Sequence, residues 1–186
     1  MLMFAIGEWR DIFRSMASVK GNYAFVDAQN LIKGTVFADK SWKMDLRRFR
    51  IFLTEKYQVG TAYYFLGVRE ERLEKMYGFL KNVGFELVFR EHDAKAMGKK
   101  KGNVDTDIVF SVMDDVFRRK VWGKIVLVSG DGDYKKMVSR LIIEKKFRAI
   151  MFPNKRWSSL YNKIDDKFKV RLYTPEVKRY LQLREK

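Results

Sequence analysis

The chain has 186 residues, a usual length for one domain and a short one for two. It has no cysteine and only one histidine, which excludes disulfides, zinc–thiolate sites, thiol nucleophiles and catalytic histidine pairs. The 39 Lys and Arg residues outnumber the 23 Asp and Glu residues, so the formal net charge is +16. Such a surface attracts polyanions, of which nucleic acid is the commonest and an anionic membrane surface the alternative. No apolar run is long enough to span a bilayer, so we expect no membrane partner.

The first twenty residues differ in pattern from the rest of the chain. They begin MLMFAIGEWRDIFRSM, a short apolar run closely followed by acids and without a basic leader. We therefore expect residues 1–20 to form a helical extension packed on a domain at 21–186, with a surface anchor as the alternative. A signal peptide is not indicated, and we expect a cytoplasmic location.

From residue 21 onward, strand-like apolar runs alternate with segments of helical spacing. The predicted strands are Tyr23–Asp27, Thr61–Leu66, Phe85–Phe89, Lys124–Ser129, Phe147–Phe152 and Val170–Tyr173. The predicted helices are Met44–Tyr57, Glu70–Asn82, Asp105–Arg119, Asp133–Lys145, Arg156–Ile164 and Pro175–Leu183. The alternation predicts an α/β fold whose central, mainly parallel sheet is covered by helices on both faces.

Acidic side chains follow two of the predicted strands and open one helix. Asp27 closes the first strand, and Asp131 and Asp133 lie in the turn Ser-Gly-Asp-Gly-Asp after KIVLVS. Asp105 and Asp107 open the helix that follows a Gly-Asn break. Because the carboxyl ends of parallel strands meet at one edge of a sheet, we expect these acids to converge there.

Clustered carboxylates repel each other unless a cation lies between them, and Mg²⁺ and Mn²⁺ prefer oxygen ligands. Such an ion activates water for attack on phosphorus without needing histidine or cysteine. Taken singly, each residue also has a structural interpretation. Asp27 would serve as a turn former, Asn30 as a hydrogen-bonding loop residue, and Asp105 and Asp107 as acids suited to a helix N-terminus.

Three segments in this order resemble the NYN domain family of PIN-like nucleases, which includes the LabA-like proteins. They are VDAQNL (26–31), KGNVDTDIVF (101–110) and LVSGDGDY (127–134), and the similarity spans roughly residues 22–175. The resemblance implies a Rossmann-like, three-layer PIN fold and ribonuclease activity that depends on Mg²⁺ or Mn²⁺.

The resemblance also assigns roles to particular residues. The implied catalytic residues are Asp27, Asn30, Asp105, Asp131 and Asp133. The implied metal ligands are Asp27, Asp105, Asp107, Asp131 and Asp133.

Basic side chains near these motifs are candidates for binding the polymer. The candidates are Lys99, Lys100, Lys101, Lys155, Arg156 and Trp157. The three consecutive lysines would grip phosphates or form a solvated loop. The tryptophan would stack on an unpaired base or pack against the domain.

The leading hypothesis is a metal-dependent endoribonuclease acting on single-stranded RNA, with DNA as the alternative substrate. The second is a non-catalytic RNA-binding or regulatory module of the same fold. A phosphatase of the haloacid dehalogenase type is less favoured, because Asp27-Ala28-Gln29 lacks the second acid of that class. Related folds often pair, so a homodimer is a further expectation.

Overall fold

A computed structural model describes residues 21–37, 42–90, 104–118 and 123–183. Its strands are β1 (Asn22–Asp27), β2 (Val59–Leu66), β3 (Glu86–Phe89), β4 (Ile125–Val128), β5 (Phe147–Phe152) and β6 (Lys169–Arg171). They form a six-stranded sheet in the order β3-β2-β1-β4-β5-β6, and every pair of neighbours is parallel. The predicted parallel α/β fold is confirmed.

Helices cover both faces of this sheet. They are α1 (Ala28–Ile32), α2 (Leu46–Tyr57), α3 (Glu74–Asn82), α4 (Val104–Phe117), α5 (Lys135–Ile143) and α6 (Pro175–Leu181). Residues of α1, α2, α3 and α6 pack with Ala24 and Val26 on one face. Residues of α4 and α5 pack with Phe25 and Leu127 on the other. Successive residues of a strand point to opposite faces, so β1 and β4 contribute to both cores.

Two short segments depart from the predicted pattern. No helix is predicted between Tyr23–Asp27 and Met44–Tyr57, but the residues after β1 form α1, whose first turn is capped by the Asp27 side chain. The helix predicted over Arg156–Ile164 is wrong, since only Ser159–Tyr161 forms a single 3-10 turn. There the Ser158 N–H donates to the Gly130 carbonyl at 2.9 Å, which holds the segment against the turn after β4.

The extension predicted for residues 1–20 lies outside the described residues. Within the described ranges, none of the helices has the length and apolar character needed to cross a membrane.

A buried arginine ties together the opposite, amino-terminal edge of the sheet. Arg50 of α2 is 3% exposed. Its guanidinium donates to the carbonyls of Gly84 at 2.9 Å, Val59 at 3.3 Å and Gly60 at 2.6 Å, and to the Thr54 hydroxyl. Burial lowers the pKa of Arg50 to about 10, so the side chain remains charged at neutral pH. It links α2 to the first residues of β2 and to the turn before β3.

We predict that Arg50→Ala lowers the free energy of unfolding by at least about 3 kcal/mol, because three carbonyls would lose a donor. Lys56→Ala, an exposed substitution in the last turn of the same helix, should change it by less than about 0.5 kcal/mol. Urea unfolding followed by circular dichroism measures both values. Equal effects of the two substitutions would contradict this role for Arg50.

Candidate metal centre at the carboxyl edge of the sheet

The site lies where the strand order of the sheet reverses direction. From β1 the chain proceeds outward through β2 and β3 on one side, and β4, β5 and β6 continue on the other. β1 and β4 are direct neighbours with Val26 opposite Val128, so the residues that follow them emerge side by side. Crevices at such switch points are where open α/β sheets bind ligands.

Three carboxylates meet at this edge. Asp105 comes from the first turn of α4, and Asp131 and Asp133 come from the turn after β4. One oxygen from each of the three lies within 4.8 Å of the others. Asp105 and Asp131 are half-buried and Asp133 is exposed, so the group opens to solvent. Residues separated by 26 positions in sequence are thus brought to one point.

The turn that carries Asp131 and Asp133 is held by local hydrogen bonds. The Asp131 N–H donates to the Ser129 hydroxyl at 3.1 Å, and the Asp131 carboxylate accepts the Asp133 N–H at 3.1 Å. Gly132 fits because a Cβ at that position would lie 2.5 Å from the Ser158 Oγ. The Tyr161 hydroxyl also donates to the Asp131 carbonyl.

Asp27 lies behind this group and is only 4% exposed. Its Oδ1 accepts the Asn30 N–H at 2.9 Å, and its Oδ2 lies 3.3 Å from the Ser129 hydroxyl and 3.1 Å from the Tyr134 hydroxyl. Burial raises the pKa of Asp27 above its ordinary value, and the nearby charge of Asp105 adds to that effect. Asp27 is not a member of the close group of three oxygens.

Tyr134 connects Asp27 to that group. Its fully buried hydroxyl contacts Asp27 on one side and Asp105 on the other. Burial and the two carboxylates raise the pKa of Tyr134, so the hydroxyl keeps its proton. One hydroxyl proton serves only one acceptor. The Tyr134 hydroxyl thus lies within hydrogen-bond distance of both carboxylates, donates to one of them at a time, and links Asp27 to Asp105.

Two other predicted site residues occupy different positions. Asn30 accepts the Gly130 N–H on its Oδ1 at 2.9 Å, so it ties α1 to the turn after β4. Asp107 lies in the first turn of α4 and is half-buried, but it does not belong to the close group of three.

The candidates for nucleic-acid binding are only partly described. Lys155 and Arg156 are exposed after β5, at the same carboxyl edge as the acids. The Trp157 ring stacks on Phe152, with 4.6 Å between centroids and 11° between planes, and its Nε1 donates to the Tyr173 hydroxyl at 3.3 Å. It is therefore packed against the protein. Lys99, Lys100 and Lys101 lie outside the described residues.

Two features were missed from the sequence. Tyr134 ends the LVSGDGDY segment, and its position directly after Asp133 is the signal that marks it in the sequence. A cavity of about 350 Å³ beside the acids includes Lys33 and Asn154, which no motif singled out.

Comparison with solved structures supports the fold. A protein of unknown function from Vibrio parahaemolyticus superposes with a TM-score of 0.67 and 22% sequence identity, over 89% of this chain and 98% of that one. A ferredoxin-NADP⁺ reductase from Plasmodium falciparum, solved with 2'P-AMP, shares 14% identity over 75% of this chain and 53% of the other. Its TM-score of 0.36 is too low to bear on fold or function.

Comparison of sequences assigns the family. No curated protein matches this chain. The model of the NYN domain matches residues 23–170, which is most of the chain and includes all of the acids described above. The protein therefore belongs to the NYN domain family, a family of PIN-like nucleases.

Proposed function

We propose that the protein is a ribonuclease that hydrolyses phosphodiester bonds of single-stranded RNA internally and depends on Mg²⁺ or Mn²⁺. The observation that carries the proposal is the convergence of Asp105, Asp131 and Asp133, with one oxygen each within 4.8 Å of the others. This group stands at the switch point of the sheet in a chain of the NYN family. We also propose that the chain belongs among the LabA-like members.

The donor set fits a hard divalent cation. All three side chains offer carboxylate oxygens, and Asp27 adds a further carboxyl group behind them. Cysteine is absent from the chain, so a thiolate-binding metal is not favoured. We assign Asp105, Asp131 and Asp133 as the residues that would hold the ion, with Asp27 and Asp107 as additional candidates. When bound, such an ion supplies an activated water and neutralises charge at the phosphorus.

The chain's own residues prepare this site in a defined way. The Tyr134 hydroxyl lies between Asp27 and Asp105 and contacts both, so these two acids have a common hydrogen-bond donor. A cation bound at the group would relieve the repulsion between the clustered carboxylates. Asn30 and Ser129 fix the turn so that Asp131 stays directed into the group.

The choice of RNA rests on charge and on family membership. The chain as a whole has a net charge of +16, and Lys155 and Arg156 are exposed cations at the same edge as the acids. These cations would bind the phosphates on either side of the cleaved bond, and we propose the same for Lys99, Lys100 and Lys101. DNA is the alternative substrate, and a cytoplasmic location and a homodimer remain predictions from the sequence.

We predict that the purified protein cleaves labelled single-stranded RNA when Mn²⁺ is present and not in EDTA. Asp131→Asn and Asp133→Asn should each lower the rate by at least about 100-fold. Removing a metal ligand should lower the rate more than removing a residue that only supports a ligand. Tyr134→Phe, which removes the bridging hydroxyl, should lower the rate by about 10–100-fold. Gel analysis of the products gives the rates, and single-stranded DNA of the same sequence tests the choice of polymer.

Asp165→Asn is the matched control for cleavage, because it removes one exposed carboxylate away from the group. It should cut RNA at the unsubstituted rate. Equal cleavage by all variants would reveal a contaminating nuclease and overturn the proposal. Binding of RNA without cleavage would favour the non-catalytic RNA-binding module.

We further predict that Asp27→Asn lowers the rate of cleavage but stabilises the metal-free protein. The buried carboxyl has a raised pKa, so the unfolded chain loses this proton at a lower pH than the folded chain does. Stability therefore falls as the pH rises above the ordinary aspartate pKa and levels off above the raised one. Below the ordinary pKa of about 3.9 the carboxyl is neutral in both folded and unfolded chains, and the gain should vanish. Thermal unfolding in EDTA at pH 8 and at low pH measures the difference.

Asp165→Asn gives the opposite sign in the same experiment. Its hydrogen bonds with Lys167 lower the pKa of Asp165, so its carboxylate contributes stability that is present at neutral pH and lost in acid. A lower melting temperature for Asp27→Asn than for the unsubstituted protein at pH 8 would contradict the account of Asp27.

A further inference from the structure

A cavity of about 350 Å³ opens beside the acidic group on the carboxyl edge. Its walls follow three neighbouring strands of the sheet: α1 and the π-helical segment Lys33–Phe37 after β1, the turn after β4, and the loop after β5. The lining residues are Asn30, Lys33, Gly34, Gly130, Pro153, Asn154, Arg156 and Trp157. The size is within the range of cavities that hold small ligands and is sufficient for part of one nucleotide.

The polar side chains of this cavity offer hydrogen-bond donors and positive charge. Lys33 and Arg156 are exposed cations on two of its walls. The Asn154 Oδ1 already accepts the Arg156 N–H at 2.6 Å, which leaves its amide nitrogen as the group available for a ligand. That nitrogen lies over Gly34, where a Cβ would be only 2.6 Å away.

The wall nearest the acids also offers a hydrogen-bond donor to a ligand. The Asn30 Oδ1 accepts the Gly130 N–H at 2.9 Å, so Asn30 also has only its amide nitrogen left as a side-chain partner for a ligand. The Gly130 carbonyl accepts the Ser158 N–H at 2.9 Å and is engaged as well. Phosphate is a group that offers only acceptors, and it matches such a lining.

The cavity and the acidic group share a wall. Gly130 lines the cavity, and the next residue along the chain is Asp131 of the acidic group. Asn30 contacts both the Gly130 N–H and, through its own N–H, the buried Asp27. A strand with one phosphate at the acids would thus pass directly into the cavity.

We propose that this cavity binds a second phosphate of the RNA strand, adjacent to the one that is cleaved, through Lys33, Arg156 and Asn154. The inference rests on the proposed ribonuclease function and adds the feature that sets where along the strand the cut falls. Trp157 forms one wall and, being stacked on Phe152, is a fixed surface for the sugar. The phosphate is either internal to the strand or at its 5′ end.

Asn154→Asp is the sharpest variant for the test. Aspartate keeps an oxygen that can accept the Arg156 N–H. It replaces the amide nitrogen of Asn154, which is a hydrogen-bond donor, with a second oxygen and adds a negative charge. Asn162→Asp, an equal change of charge at an exposed position, is the matched control. Lys33→Gln with Arg156→Gln removes the two cations, and Lys56→Gln with Lys81→Gln removes two exposed lysines at the opposite edge. Melting temperatures establish that each variant is folded.

Binding of a fluorescent single-stranded RNA is measured by anisotropy in EDTA, so that no cleavage is needed. Asn154→Asp should weaken binding by at least about tenfold, and Asn162→Asp by less than about twofold. The Lys33→Gln, Arg156→Gln protein should also lose about 0.7 or more from the slope of log affinity against log salt. The Lys56→Gln, Lys81→Gln protein should change that slope less.

A series of RNAs, each with one neutral methylphosphonate, then locates the bound phosphate. One position adjacent to the cleavage site should weaken binding to the unsubstituted protein and have no effect on Asn154→Asp. If RNA with a 5′-phosphate instead binds more tightly than RNA with a 5′-hydroxyl, and this difference is absent in Asn154→Asp, the cavity binds the end of the strand. Either result supports phosphate binding in the cavity.

Equal affinities of Asn154→Asp and Asn162→Asp, or no position coupled to Asn154, would overturn the proposal. If these results occur in a protein that cleaves RNA with Mn²⁺, the cavity proposal fails and the ribonuclease proposal stands. If coupling is found in a protein that does not cleave, the ribonuclease proposal fails and the phosphate site stands. Absence of RNA binding overturns both.

Discussion

A carboxyl group buried at the end of a central strand has to be satisfied by hydrogen bonds, and at Asp27 the partners come from three parts of the chain. Asn30 belongs to α1, Ser129 follows β4, and Tyr134 precedes α5. The burial of this one group therefore requires all three segments to meet at the carboxyl edge. The arrangement of the acids in front of it depends on that meeting.

The charge of the site is opposite in sign to the net charge of the chain. Three acids lie close together, while the whole chain carries a charge of +16. Their mutual repulsion is a cost to stability, and function is a reason for a fold to retain it. A divalent cation would relieve it locally, and the surrounding positive charge would attract the polyanion. A candidate cation site and exposed basic residues thus lie at the same edge of the sheet, as suits a member of a family of PIN-like nucleases.

Much of this edge could be predicted from the sequence because the acidic residues stand directly at the ends of the predicted strands. Asp27 closes one apolar run and Asp131 follows another, both runs are predicted as buried strands, and parallel neighbours bring their ends together. The contact between the Tyr134 hydroxyl and Asp27 could not be predicted, since the two residues are 107 positions apart in sequence. Nor could α1, whose five residues are too few to show a period and depend on the Asp27 cap.

The central claim is that the three converging acids hold a divalent ion. Anomalous scattering from crystals grown with Mn²⁺ tests it most directly, because the signal locates manganese without reference to activity. The account predicts a peak about 2.1 Å from carboxylate oxygens of Asp105, Asp131 and Asp133. Manganese found only at exposed acids such as Asp165 and Asp166, with no peak at the three converging carboxylates, would contradict it.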